Sequence, residues 1–508
     1  MFKNTAIVTL FLVLSSVLGF IAQIVYVSSF GASSEMDIYF TLLSVPTIIT
    51  GMAPVIFTSV LLPNFAKLKS VESELKSFIN SLWSYILLFS ILFAVIGCSI
   101  TIYNIHILIP NLSSKLHTTA IEVSLMLWIG SGVFIASSYL AAVLNYNKKF
   151  IKVAWTSVLP AFLMILLVMI FHNYIGIRSI SLGLFLANLI QFTVFFKAVI
   201  PYFSLSKFKI NRISNYKKLL TQTFFVILSL LPFTIFVPIG YYWASYLPNG
   251  SVSFLGYSQS FSGFLSVATG MGIAIVSFPN LADDFANGNG NEAFYKFELT
   301  LKYVLLISLF AAAAFIALRI PILTLFYQHG SFTQSSVIKL ANVIPWYLVA
   351  AIFIAGLNLL RTLFYSMGEY KKIAILGIVI PVVFFILSGV LKDHFSVVGI
   401  GIANALSFTL LFISSIIVIK FKSKSKEFLS SNFLFFIMKN IITSIFAGFI
   451  TTYTFSWISV SISQVPSITI CFVLFTGTYF LIAKYIFKMT EIIVIENVIT
   501  NQIKVVRR

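Results

Sequence analysis

Residues 15–40 read SSVLGFIAQIVYVSSFGASSEMDIYF, and after a second apolar run residues 60–66 read VLLPNFA. This stretch joins two long apolar segments through a turn of small residues that also carries Glu35 and Asp37. The Pro63-Asn64 pair is typical of a helix stop. The stretch from Ser15 to Ala66 therefore predicts the first helical hairpin of a membrane bundle.

The rest of the chain has the composition of a membrane protein. Of its 508 residues, 59% are apolar and 9% are charged, and the mean hydropathy is +1.03. A membrane-spanning helix needs roughly 20 apolar residues, and helices satisfy their own backbone hydrogen bonds in lipid. Cutting the apolar runs at polar turns predicts an all-α polytopic membrane protein with 14 transmembrane helices. The fifth span, 153–173, is interrupted by Pro160, and the eighth, 252–278, is rich in Ser and Gly.

The basic residues predict how the chain is oriented, because cytoplasmic segments carry an excess of Lys and Arg. With the N-terminus inside, all but five of the 33 basic residues fall in inside segments. The five in outside segments are Lys115, Arg178, Arg319, Lys339 and Lys392. This asymmetry predicts that both termini are cytoplasmic. It also accounts for the net charge of +19 through orientation and attraction to anionic membrane lipids, so nucleic acid is not an expected partner.

Three short matches recur in the same order along the chain. They pair residues 63–66 (PNFA) with 279–282 (PNLA), 150–154 with 370–374, and 183–188 with 399–404. These matches predict two six-helix lobes related by a parallel repeat, about an axis along the membrane normal. The lobes are 1–200 and 219–420, with a basic cytoplasmic linker at 201–218, a terminal helix pair at 421–488 and a cytoplasmic tail at 489–508. Two lobes around a shared cavity are the general plan of an alternating-access transporter.

Seven segments carry a family resemblance. They are SSVLGF (15–20), FGASSEMDIYF (30–40), VLLPNFA (60–66), LNYNKKFIKVAWTSVLP (144–160), SFPNLADDFANGN (277–289), LTLFYQHGSFT (323–333) and LLRTLFYSMGEYKKIA (359–374). In this order and spacing they resemble the MurJ/MviN family of lipid II flippases. The superfamily around it also holds the Wzx polysaccharide flippases and the MATE drug antiporters.

The resemblance implies a flippase of the bacterial inner (cytoplasmic) membrane. Its substrate would be a polyprenyl-pyrophosphate-linked glycan, here an undecaprenyl-pyrophosphate-linked saccharide like lipid II. Alternating access would carry this substrate from the cytoplasmic to the outer leaflet. The head group would occupy the cavity between the lobes, and the lipid tail would lie in a groove beside the last two spans. Glycan polymerases are further candidate partners.

The positions that match the family's cavity arginines are not basic in this chain. They are Ser16, Ala22, Thr50 and Ser260, whereas Asp37 matches the family's acidic residue at the start of the second span. Hydroxyl and amide side chains bind sugar hydroxyls but compensate a pyrophosphate poorly. The predicted substrate-binding residues are Ser16, Gln23, Thr50, Gln259, Ser260 and Arg361. A Wzx-like flippase for an O-antigen, capsule or exopolysaccharide repeat unit is therefore the alternative.

Charged residues within spans are costly and point to function. Arg361, near the cytoplasmic end of the tenth span, is predicted to receive the pyrophosphate or else to snorkel to lipid phosphate. Asp37 is predicted to cap its own helix, or alternatively to act in gating or cation coupling. Glu122 is predicted to lie in the first turns of the fourth span, where the same capping argument applies. Arg319 is predicted to snorkel at the outer end of the ninth span.

Other functional classes fit the sequence less well. Apart from Asp37 and Glu122, no acidic residue is predicted inside a span, which argues against a MATE-type cation-coupled exporter. A non-transporting membrane scaffold would need an apolar interface between the lobes. The five histidines fall in outside loops without metal-ligand spacing, and Cys98 and Cys471 lie within apolar runs. We therefore expect no enzyme activity, no metal site and no cofactor.

Overall fold

The computed structural model describes residues 2–68, 72–110, 112–202, 216–271, 284, 289–367, 369–423, 431–460 and 462–493. Within these ranges the chain is helical and contains no β-strand. Twelve of the described helices are long and apolar enough to cross a membrane. The predicted all-α polytopic fold is therefore confirmed. The repeat match at 279–282, most of the linker and most of the tail lie outside the described residues.

The predicted first hairpin is present. Helix α1 spans Phe2–Phe30 and α2 spans Ser34–Thr50. The second arm continues through α3 (Ala53–Ile56), a π-helical turn at Phe57–Leu61 and α4 (Leu62–Lys67). The helix stop predicted at Pro63-Asn64 is wrong, since α4 runs through this pair to Lys67. Proline is tolerated there because it lies in the first turn of α4, where its missing N–H has no intrahelical partner to lose.

The first half of the chain continues with α5 (Glu72–Tyr103), α6 (Ile105–Leu108), α7 (Ser114–Tyr146), α8 (Phe150–Ala154), α9 (Leu159–Ile175) and α10 (Arg178–Val199). The second half contains α11 (Tyr216–Ala244), α12 (Ser251–Ser266), α13 (Gly290–Ala317), α14 (Arg319–Tyr327), α15 (Gln334–Ser366), α16 (Tyr370–Ser423), α17 (Ser431–Ile458) and α18 (Gln464–Leu481). We call the end that carries the α1–α2 turn the outer end, and the opposite end the inner end, after the predicted orientation.

Two helices explain the difference between twelve candidate spans and the fourteen predicted. Helix α12 has 16 residues and passes into a π-helical turn at Val267–Met271. Helix α16 has 54 residues, and Ser396 within it has φ 53° and ψ −138°, which marks a kink between two helices. Dividing α16 at Ser396 and counting α12 as the eighth span gives the predicted order.

The chain divides into two compact units. Unit 1 comprises Met1–Gly256, His329–Thr333 and Gly377–Lys392, and unit 2 comprises Tyr257–Gln328, Gln334–Leu376 and Asp393–Arg508. These boundaries follow packing rather than sequence repetition, so the lobes 1–200 and 219–420 stay a prediction. One observation favours the repeat: α7 and α15, the predicted fourth helix of each lobe, have 78% and 67% of their span windows buried, compared with 22% for α1.

Aromatic packing forms much of the core of unit 1. Trp83 stacks on Tyr139 with ring centroids 6.1 Å apart, and Phe57 meets Tyr139 edge to face. The Tyr139 hydroxyl donates to the Ile79 carbonyl at 2.7 Å, so this buried ring keeps its polar atom satisfied. A smaller cluster in unit 2 joins α13, α17 and α18 through residues such as Leu306, Phe436 and Phe475.

Candidate functional site

The α1–α2 turn in unit 1 is held by the turn between α14 and α15. The backbone N–H of Ser331 donates to the Ser28 carbonyl at 2.8 Å, and the Ser331 hydroxyl donates to the Ser29 carbonyl at 3.1 Å. Gly330 has φ +57°, and a Cβ atom there would lie 2.2 Å from the Ser28 oxygen. Only glycine accepts both this backbone conformation and this close approach.

The same turn also meets the start of α12. Gly250 has φ +89°, and a Cβ atom there would lie 2.7 Å from the Ala32 oxygen. Gly31 has φ +62°, with a Cβ position 2.7 Å from the Ser331 oxygen. Three glycine-bearing turns therefore touch through backbone atoms. We call residues 28–37, 248–253 and 329–331 together the outer clasp.

Asp37 ties α2 to α12 within the outer clasp. Its Oδ2 accepts from the Gly250 N–H at 2.6 Å, and its Oδ1 accepts from the N–H and the hydroxyl of Ser253 at 2.7 and 2.6 Å. The first N–H groups of a helix have no intrahelical acceptor and form its positive end, so a carboxylate there is favourable. Asp37 therefore caps α12.

The prediction that Asp37 caps its own helix is wrong. The N-cap of α2 is Ser33, whose hydroxyl accepts from the Met36 N–H at 3.3 Å. Because Ser33 fills that role, the Asp37 carboxylate is available to a segment more than 200 residues away in sequence.

A cavity of about 150 Å³ lies beside Asp37 in unit 1. It is bounded by α2, by the connection between α6 and α7, and by the connection between α11 and α12. Its polar lining residues are Ser34, Asp37, Thr41, Ser113, Ser245 and Asn249, and no lining residue is basic. This volume holds several water molecules, so Asp37 borders a polar space at the outer end.

Helix α1 differs sharply between its two halves. In the inner half Leu12 and Val17 are 52% and 48% exposed, whereas in the outer half Val27 is fully buried. The predicted substrate-binding residues follow this gradient. Ser16 is exposed and donates its hydroxyl to the Leu12 carbonyl of its own helix, while Gln23 is 8% exposed.

The other predicted binding residues are placed as follows. Thr50 of α2 is half-buried and donates to the Pro46 carbonyl at 3.3 Å. In unit 2, Gln259 is half-buried and Ser260 is exposed on α12. Arg361 lies at the inner end of α15, where its Nη2 donates to Oδ1 of Asn358 at 3.2 Å. Ser16, Gln23 and Thr50 thus belong to unit 1, and Gln259, Ser260 and Arg361 to unit 2. Their assembly into one site stays a prediction.

Two of the other predicted roles are wrong. Glu122 does not lie in the first turns of a helix, because α7 begins at Ser114, and it pairs instead with Arg178 at the start of α10. Arg319 does not snorkel. Its Nε donates to the Ala341 carbonyl at 3.0 Å and its Nη1 to the Ile316 carbonyl at 2.8 Å, so it satisfies backbone acceptors between helices.

A further acidic residue lies inside a span. The ninth span was predicted over 300–326, but α13 begins at Gly290 and ends at Ala317. Glu298 is therefore helical, and it pairs with Lys302 at 3.2 Å with both side chains mostly buried. The glutamate and lysine four residues apart were the sequence signal for this pair. Among the described residues, no group of three or more His, Cys, Asp or Glu could hold a metal ion.

Two solved structures have the same arrangement of helices as this chain. A structure described as "Lipid II flippase MurJ, inward closed conformation" aligns with a TM-score of 0.80 over 95% of this chain and 98% of that one, at 17% identity. An inward-facing MATE family transporter of the MOP superfamily aligns with a TM-score of 0.64 over 81% and 96%, at 17% identity. The chain therefore shares its fold with these two structures over most of its length.

Sequence comparison then identifies the family. The profile described as "Lipid II flippase MurJ" matches residues 6–471. A probable lipid II flippase MurJ of Buchnera aphidicola subsp. Acyrthosiphon pisum is 23% identical over 359 residues, covering 68% of this chain and 70% of that protein. The lipid II flippase MurJ of Burkholderia cenocepacia is 21% identical over 363 residues, with 68% and 70% covered. The chain belongs to the MurJ family of lipid II flippases, which confirms the predicted resemblance.

Proposed function

We propose that this chain translocates lipid II from the cytoplasmic to the outer leaflet of the bacterial inner membrane by alternating access. The observation that carries this proposal is the family match over residues 6–471. The outer clasp also supports it, because glycine turns and Asp37 join separate segments at the outer end, and an alternating-access carrier opens its two ends in turn.

The test is replacement of the only lipid II flippase of a bacterial host by this chain. Growth of the rescued host establishes lipid II transport. Failure to rescue, with the protein correctly inserted and expressed, contradicts it. The inserted protein also tests the orientation, because both termini are proposed to be cytoplasmic and cysteines near them should resist an impermeant label from outside.

A flippase for an O-antigen, capsule or exopolysaccharide repeat unit is the second candidate. It is favoured by the uncharged residues Ser16, Ala22, Thr50 and Ser260, which the sequence resemblance matches to cavity arginines of the family. Rescue of a host that lacks a repeat-unit flippase, together with no rescue of the lipid II defect, would establish this candidate instead.

Asp37 is proposed as the gating residue of this transport. Its three accepted hydrogen bonds join α2 to α12 at the outer end, so opening of that end has to break them. The cavity beside it is a polar space next to the carboxylate, and cation coupling at Asp37 would need such a space. Arg361 is proposed to receive the substrate pyrophosphate, because it is the basic residue among the six proposed to bind substrate.

Other proposed partners follow from charge and family. Anionic lipids of the inner leaflet are expected to bind the basic inside segments. Glycan polymerases are proposed to take up the translocated product. Co-purification of a polymerase with this chain from the native membrane is the direct test of the second proposal.

A further inference from the structure

Helix α13 carries two pairs of opposite charges with the same spacing. Glu292 and Lys296 approach to 2.9 Å, with side chains 58% and 46% exposed. Glu298 and Lys302 approach to 3.2 Å, with side chains 15% and 18% exposed. The first pair is the ordinary solvated pair of a helix surface. The second pair is withdrawn into the protein.

The buried pair lies at a particular depth. Helix α13 ends at Ala317 at its outer end, and Lys302 precedes that residue by roughly 23 Å at 1.5 Å per residue. With Ala317 taken as the outer edge of a hydrocarbon layer about 30 Å thick, Lys302 and Glu298 lie near its inner boundary. A lysine there ordinarily extends to water, whereas this one bonds to a carboxylate inside unit 2.

Such a pair is a poor way to stabilise a helix. Desolvation of two charges offsets most of their attraction, and apolar replacements are often as stable. Charged groups within spans usually serve a substrate or an ion. The pair therefore points to a function beyond holding α13 in place.

Helix α15 of unit 2 carries a second basic residue, Arg361, at nearly the same depth as Lys302. Helices α13 and α15 pack along each other, and the Cβ position of Gly356 lies 3.5 Å from Leu301, the residue next to Lys302. Arg361 follows Gly356 by five residues, or roughly 7.5 Å toward the inner end. Arg361 and Lys302 thus lie at one end of one helix pair.

On the basis of the proposed function, we propose that Lys302 and Arg361 together bind the diphosphate of the polyprenyl-linked glycan at the inner end of unit 2. Glu298 restrains Lys302 and sets the strength of binding. With Glu298 present the three side chains carry a net charge of plus one against a doubly negative diphosphate. Binding strong enough to enter and weak enough to leave is what a carrier requires.

In this proposal the two cations take the place of the family's cavity arginines, whose matching positions are predicted to be uncharged in this chain. Instead of basic residues at Ser16, Ala22, Thr50 and Ser260, Lys302 of α13 and Arg361 of α15 bind the diphosphate. The Glu298 carboxylate weakens their attraction for it. Without Glu298 the site would hold the product too tightly to release it.

The test measures binding of undecaprenyl pyrophosphate to the full-length protein in phosphatidylcholine nanodiscs, with uncharged undecaprenol as the reference lipid. The variants are Glu298→Gln, Lys302→Gln and the double variant with both changes. Their net charges at the site are plus two, zero and plus one. We expect Glu298→Gln to bind the diphosphate about tenfold more tightly and Lys302→Gln about tenfold more weakly, with the affinity of the double variant between those two.

Lys296→Gln is the control on the same helix. It removes a lysine that pairs with Glu292 and with Asp284, and we expect it to leave binding unchanged. Lys302→Arg should keep binding within a few fold. A structural role for the pair predicts a different result, namely that Glu298→Gln and Lys302→Gln both weaken binding and both lower the melting temperature. That result, or equal binding by all variants, overturns the proposal.

Binding and transport separate the two proposals. If the host rescue succeeds and the graded order of affinities is absent, the diphosphate site is wrong and the flippase function stands. If the graded order is present and the host is not rescued, the site stands and the carried glycan is not lipid II.

Discussion

The outer clasp and the inner end of unit 2 are built from opposite kinds of contact. At the clasp, glycine turns meet backbone to backbone, and the Asp37 carboxylate binds N–H and hydroxyl groups. At the inner end of unit 2, Lys302 and Arg361 make contacts through long charged side chains. Backbone contacts of fixed geometry are either made or broken, whereas the attraction between charges changes with each charge added or removed. The outer end is therefore suited to two discrete states, and the inner end to binding of graded strength.

Gly330→Ala should destabilise the outer clasp more than any other substitution considered for this comparison. The added Cβ would overlap the Ser28 oxygen at 2.2 Å in a backbone conformation with φ +57°, so we expect the clasp to lose about 3 kcal/mol. A cysteine placed at Ser29 should then react faster with an impermeant maleimide from outside. The variant should also fail to rescue a flippase-deficient host.

Gly263→Ala is the control for this prediction, since no described atom beyond its chain neighbours and its own helix backbone lies within 4 Å of its Cβ position. Labelling at residue 29 should be the same as in the unchanged protein. Equal labelling of the Gly330 and Gly263 variants would mean that the clasp does not close the outer end.

Asp37→Asn tests the single charge of the clasp. An amide has one oxygen, so it leaves the N–H of Gly250 or of Ser253 facing another donor. We expect a loss of about 2 kcal/mol from the closed state and faster labelling at residue 29. Glu35→Gln is the matched control on the same helical turn, because Glu35 lies beside Gly176 instead of α12.

Arg361→Gln tests the other side of the comparison. Loss of the guanidinium should slow flipping of a labelled lipid II about tenfold, because a charge-assisted contact to the diphosphate is gone. Labelling at residue 29 should stay unchanged, because the clasp belongs to unit 1. Unchanged flipping would remove Arg361 from the binding site.

Ser331→Ala should have the smallest effect. It removes the hydroxyl that donates to the Ser29 carbonyl but keeps the backbone N–H that donates to Ser28. We expect a loss of about 1 kcal/mol, seen as a modest rise in labelling and no growth defect. A loss as large as that of Gly330→Ala would show that side chains, and not backbone geometry, hold the clasp.

The fold was largely predictable because apolar length and small-residue turns are local signals. The hairpin around Gly31, the break before Pro160 and the identity of the family all followed from short stretches of sequence. Helix ends were less predictable. Pro63 lies in the first turn of a helical segment, and α13 extends ten residues earlier than expected because its polar start is helical too.

The candidate site was less predictable because its contacts join distant segments. Asp37 looks like a cap of its own helix, but Ser33 takes that place and the carboxylate turns to residues 250–253. Glu122 likewise meets Arg178 of another helix. A sequence rule for helix starts cannot show which of two nearby polar residues is used locally. By contrast, the spacing of Glu298 and Lys302 predicts their ion pair. The same spacing also predicts the pair of Glu292 and Lys296, and only burial in the structure distinguishes the two pairs.

The glycine turns of the outer clasp also determine which positions tolerate mutation. Any missense change in the codon for Gly31, Gly250 or Gly330 adds a Cβ atom, and at each position that atom would lie within 2.7 Å of a carbonyl oxygen. Neighbouring serines such as Ser29 contribute their backbone oxygens and can vary in side chain. Random mutagenesis of this gene should therefore recover functional substitutions at Ser29 but few or none at Gly31, Gly250 and Gly330.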